Sequence, residues 1–225
     1  MKWLWKLEKA IDKFAIRNLM MYIAAINLGV YLFDFLISPI LGFSLEYYLA
    51  FHPELFLQGQ VWRMITFIFI PPTSGLLAIF VLYFYYMIGS SLEQEWGTAK
   101  FNLYYFFGMM FTLIGSFITG SWATPIYLNL SLFLAFAQFY PDFQVLLFFI
   151  LPIKIKYLAY LNWAFFGYTI IFGSISVKVF AVVSLLNFFL FFSKGFFSNM
   201  SQRRQYRSTQ KNYHDQIREF KRKKR

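Results

Sequence analysis

Apolar residues run through this chain in six long stretches separated by short polar or proline-containing breaks. The stretches cover roughly Leu19 to Ile37, Ser74 to Leu92, Phe101 to Thr119, Pro125 to Tyr140, Ile153 to Phe172 and Val177 to Ser193. Such runs match helices crossing a hydrocarbon core about 30 Å thick, so the pattern predicts an all-α integral membrane bundle of six transmembrane helices. The fourth is the shortest, about 24 Å as a helix, and it carries Asn129, Ser131 and Gln138, a polar load costly against lipid. Its expected place is the centre of the bundle. Asn162 and Asn187, in the fifth and sixth runs, could face it, and Gly89, Gly108 and Gly115 allow neighbouring helices to approach closely.

The break between the first two runs is different in kind. It is aromatic-rich yet interrupted by Pro53, Gly59 and the Pro71-Pro72 pair, and it contains Gln58 to Pro72, QGQVWRMITFIFIPP. The apolar part, Met64 to Ile70, reaches only about 10 Å as a helix, too short to span. Irregular backbone is excluded from lipid, so the segment is expected to fold as short helices embedded at the outer interface and packed on protein. Trp62 then sits at headgroup depth, and Arg63 reaches water, phosphate or buried carbonyl groups, the pair anchoring the loop.

Charge sharpens this picture. Only Arg63, Lys100, Lys154, Lys156 and Lys178 are basic between Asn18 and Ser193, so the net charge of +11 belongs to the ends. Counting basic residues in the breaks places both termini on the cytoplasmic side, with a bacterial cytoplasmic membrane as the expected location. The first residues, MKWLWKLEKAIDKFAIRN, set Trp3, Leu7, Ala10, Ile11 and Phe14 on one helical face and lysines on the others, as in a helix lying among headgroups. The stretch from Ser198 to Arg225 holds ten basic residues against two acidic ones and is expected to contact anionic lipid. The expected organisation is therefore an amphipathic helix over 1–18, a membrane domain over 19–193 and a basic tail over 194–225. A nucleic-acid groove has no soluble surface to occupy.

Several chemistries are closed by composition. The chain has no cysteine, which excludes disulfides, thiolate metal sites and cysteine nucleophiles. Its two histidines are His52 and His214, and no His-Glu cluster at helical spacing suggests a metal; no cofactor is implied. Glu93 and Glu95 flank the turn after the second run and are expected to cap helix ends or pair with Lys100. Asp34, near the outer end of the first run, is expected to touch headgroup water, with Arg63 the alternative partner.

The order of these features resembles a known superfamily. VWRMITFIFIPP is similar to the Trp-Arg motif in the first loop of rhomboids, and LEQEWGTAKF, containing Glu93 and Gly97, looks like their turn after the second helix. FYPDFQVLLFFILPIKIKYLAYL resembles the link between the fourth and fifth helices, especially in the derlin branch. The resemblance implies a six-helix rhomboid-like bundle with a membrane-embedded first loop. Active rhomboids carry Gly-x-Ser-Gly at the start of the fourth helix and a histidine base in the sixth. Here Ser131 is flanked by leucines and the sixth run has no histidine, so the resemblance implies a pseudoprotease, without catalytic residues. By similarity to derlins it would bind transmembrane segments of client membrane proteins in quality control or retrotranslocation. Asn129, Ser131, Gln138 and Asn187 are the candidate client-binding polar residues. A transporter or lipid-handling protein, and an intramembrane hydrolase with a non-standard site, are the rival readings.

Overall fold

The computed structural model describes residues 2–72, 75, 77–147 and 151–192, with the side chains of 2–6, 147 and 151 left aside. The basic tail lies outside the described residues. The chain divides into two compact units, Met1–Phe188 and Phe189–Arg225. Six helices occupy the six apolar runs: α2 (Leu19–Leu36), α7 (Leu77–Trp96), α8 (Thr98–Thr119), α9 (Ile126–Phe139), α10 (Ile155–Phe172) and α11 (Ile175–Phe192). Ahead of them runs α1 (Lys2–Ile11), set against α8. Between α2 and α7 the loop folds into α3 (Ser38–Leu41), α4 (Leu45–Leu49), α5 (Pro53–Leu57), α6 (Arg63–Thr66) and a 3₁₀ turn, Phe67–Phe69.

Among the described residues, α2, α8 and α11 are long and apolar enough to cross a membrane. The other three fall short for separate reasons. In α7 and α10 the tyrosines, with Glu93, Gln94 and Glu95 in one and Lys156 and Asn162 in the other, lower the hydropathy. In α9 length decides: 14 residues make about 21 Å. Helix ends follow local chemistry. Gly97, at φ +83°, ψ 154°, precedes α8 in a conformation open almost only to glycine, and Gly120, at φ +63°, ends that helix in a left-handed cap. Pro141 stops α9, because the residue before a proline is pushed out of helical geometry.

The expected central position of α9 is what the structure has. Its residues from Ser131 to Ala137 are all buried, and it packs on α7, α8 and α10. It also meets α11, where the Ser184 hydroxyl donates to the Tyr127 carbonyl. Close approaches occur at glycines: a Cβ on Gly108 would fall 2.9 Å from Asn187 Nδ2 of α11, and one on Gly89 would fall 2.5 Å from the Cβ of Met20 in α2.

One element departs from the all-α expectation. β1 (Gln144–Leu147) and β2 (Leu151–Lys154) pair antiparallel between α9 and α10, with Val145 opposite Ile153 and Leu146 opposite Pro152. An apolar run is ambiguous between strand and helix; the turn-forming Pro-Asp before it and Pro152 within it disfavour helix here.

Gly89 and Gly29 give a matched test. Met20 Cβ is tied to its backbone, so Gly89→Ala must part α2 from α7 and should cost about 1–3 kcal/mol, whereas Gly29→Ala meets open space. Thermal unfolding in detergent should show a lowered midpoint for the first variant and none for the second.

Candidate functional site

The loop between α2 and α7 is built around α4, a helix of five residues. So short a helix satisfies almost none of its own backbone groups, and in lipid each unmet group is expensive. Its N-terminus is met by Asp34 of α2, whose carboxylate accepts from Leu45 N–H (2.7 Å), Glu46 N–H (3.1 Å) and the Ser44 hydroxyl (2.9 Å). Asp34 thus caps the loop; it neither pairs with Arg63 nor merely touches headgroup water. A signal was present in Ser44, a good N-cap residue just before Leu45.

The C-terminal end of α4 is met by α6. Arg63, 2% exposed, donates through Nη1 to the carbonyls of Tyr47 (2.7 Å) and Ala50 (2.6 Å), and through Nε to Gln60 Oε1 (2.6 Å). Thr66 Oγ1 donates to the Leu49 carbonyl at 3.0 Å. A cation at a helix C-terminus is favoured by the helix dipole as well as by the hydrogen bonds. Of the partners expected for Arg63, buried carbonyls are the ones it takes. Trp62 is half exposed beside it. The loop is pinned further by a bridge in which Ala123 N–H donates to the Phe51 carbonyl, and by Tyr47 and His52 against Trp122. Two adjoining clefts of about 380 and 340 Å³ open between this loop and the start of α9, sharing Glu46, Ile70 and Thr124.

The opposite end has its own clasp. Glu93 Oε1 accepts from Asn18 N–H and from the Thr98 hydroxyl, both at 2.9 Å, and the Asn102 amide bonds both main-chain groups of Ile16 at 3.0 Å. Glu93 therefore ties the entry to α2 onto the turn at Gly97, while Glu95 accepts from Tyr140 at 2.7 Å. The alternative pairing with Lys100 does not form: that ammonium lies over the Trp96 ring, 5.7 Å from its centre. Asp142 bonds Lys156 (3.0 Å) and Lys154 (3.2 Å). These bonds hold the Asp142 carboxyl below its ordinary value, so the pairing is present at neutral pH and is lost as pH falls through that lowered value.

The four candidate polar residues are not brought together. Ser131, fully buried, accepts from Tyr104 Oη (3.0 Å) and donates to the Leu128 carbonyl (2.8 Å). Asn187 donates to the Tyr104 carbonyl at 3.2 Å, which places it near Ser131 through one shared tyrosine. Asn129 is buried on α9, whereas Gln138 is exposed in its last turn. Asn27, which the sequence reading passed over, donates to the Ile68 carbonyl (3.4 Å) and joins α2 to the loop. At the start of α9, Tyr127 stacks on Phe180 of α11, ring centres 6.3 Å apart and planes within 13°. Two aromatic rings thus fill the contact between the start of α9 and α11. No cluster of three or more metal-binding side chains occurs among the described residues.

An arginine-stapled loop, a central short helix and apolar spans define a multi-pass membrane protein of rhomboid-like build. The chain belongs to the Der1-like family, whose model matches residues 29–211. Members of that family are generally catalytically inactive rhomboid-like proteins. Among curated proteins no match is found.

Replacing Arg63 tests the staple. Arg63→Ala leaves the Tyr47 and Ala50 carbonyls without their buried donor and should cost about 2–4 kcal/mol. Arg63→Lys cannot serve Nε and Nη1 positions together and should recover only part. Unfolding in detergent and protease cleavage within 45–66 should report both.

Proposed function

We propose that the chain is a six-span, proteolytically inert derlin-like protein that binds transmembrane segments of client membrane proteins in quality control. The observation that carries this reading is a seam beside α9. Both α7 and α10 pack on α9, through Phe84 against Phe133 and through the Asn162 amide donating to the Leu130 carbonyl (3.0 Å), while their direct contact with each other is slight. On α9, Ile126 is exposed and Leu130, one turn on, is half-buried. A helix entering from the side would meet them first.

In this reading both termini face the cytoplasm, and α1 and the basic tail contact anionic lipid. The buried amides Asn129 and Asn187 become available to a client only if the seam opens. Hydrogen bonds between helices are worth about 0.6 kcal/mol each on average, so polarity alone would select weakly and several contacts must act together.

Inertness is tested at the serine. Ser131→Ala removes one bond to Tyr104 and should cost about 1 kcal/mol of stability, with cellular function unchanged. Labelling of the parent by an active-site serine reagent, lost in the variant, would refute it. Client binding is tested by placing a photoreactive residue at Leu130 and, as comparison, at Tyr168 on the outward face of α10. Discrete membrane-protein adducts at the first position and not the second are expected; identical adducts, or lipid alone, would overturn the proposal.

A further inference from the structure

The hairpin between α9 and α10 has two unlike faces. Val145 is buried, and Phe143 sets its ring edge against Phe136 of α9, while Leu146 is 51% exposed with Gln144 and Pro152 also outward. Residues 143–153 contain no charge, and Gln144 is their single hydrogen-bonding side chain. A two-stranded sheet with an apolar outer face is marginal in water and prone to pair with other chains.

Its root is fixed. The Phe143 carbonyl accepts from Ile155 N–H at 2.8 Å and the Pro141 carbonyl from Lys156 N–H at 3.0 Å, closing the base of the hairpin. That base carries the marks of a membrane interface: Lys156 lies over Tyr157, Lys100 over Trp96, and Asp142 pairs with the two lysines. Aromatic and basic side chains together favour the headgroup layer. From this plane α10 starts at Ile155 and shows Tyr157, Tyr160, Leu161, Tyr168 and Phe172 outward, the face a membrane helix gives to lipid. The hairpin's outward side chains thus join a lipid-facing helix through a base that carries Asp142, Lys154 and Lys156.

We propose that this hairpin is a lipid-inserting element: its outer face, which includes Leu146, lies in the boundary between headgroups and acyl chains, in the leaflet on the side of α1. The occupant is phospholipid because the exposed face is apolar and begins at the interface plane. A soluble partner would instead require the hairpin to stand in water, leaving Leu146 and Pro152 uncovered until it arrived. The inference rests on membrane residence and not on client binding.

The absence of cysteine makes the test clean. Leu146→Cys, an exposed position, is labelled with an environment-sensitive fluorophore in the full chain and reconstituted into pure phospholipid vesicles. Expected are a blue-shifted emission, quenching by lipids brominated near the headgroup, protection from aqueous iodide, and no change when protein is diluted in lipid. Water-like emission open to iodide would overturn the proposal in favour of a soluble partner. Emission that reddens on dilution and ignores brominated lipid would overturn it in favour of a second copy. Leu146→Ser labelled at Gln144→Cys provides the internal check: quenching by brominated lipid should fall there while the unfolding midpoint stays unchanged.

Discussion

Arg63 gives its guanidinium to main-chain carbonyls and to one amide side chain, with no carboxylate partner among the described residues. That choice follows from the constraint governing the whole loop. Short helices expose backbone groups at both ends, and lipid supplies nothing to satisfy them. The loop solves this with side chains brought from elsewhere: Asp34 at one end of α4, Arg63 and Thr66 at the other. A buried charge is tolerated because carbonyl dipoles surround it, and each dipole is tolerated because the charge is there. The Phe51–Ala123 bridge and the clefts ahead of α9 adjoin this stapled helix.

Polarity inside the bundle is handled differently. Asn27, Asn162 and Asn187 each spend an amide N–H on a carbonyl of a neighbouring segment, so side chains act as bonds between elements that have no strong hydrophobic reason to associate in lipid. Their Oδ1 atoms, with that of Asn129, are buried without a hydrogen-bond partner. Burial of this kind costs energy, and close helix contacts at glycines such as Gly89 against Met20 add dispersion on the favourable side.

The sequence made the helices legible because apolar runs of this length have one main physical explanation. It made Arg63 legible as an anchor because a charge ahead of a run too short to span demands a partner. The partner's identity was not legible: the carbonyls of Tyr47 and Ala50 belong to the backbone and leave no letter behind. Asp34 was misread for the converse reason, since its partners, one hydroxyl and two N–H groups, lie ten to twelve residues away. Gln138 looked equivalent to Asn129 because composition does not say that the last turn of α9 leaves the bundle. The hairpin was hidden inside an apolar run that fits strand and helix equally.

The Tyr127 ring ties three helices at one point. It stacks on Phe180 of α11 and meets Phe165 and Phe166 of α10, while its own backbone belongs to the start of α9. Phe180 and Phe166 are buried and Tyr127 is half-buried, so the contact lies at the edge of the packed interior. A displacement of α10 changes how the ring lies against α11, and a displacement of α11 changes how it lies against α10. The two helices are coupled through a single side chain, as two wheels are through a shared axle.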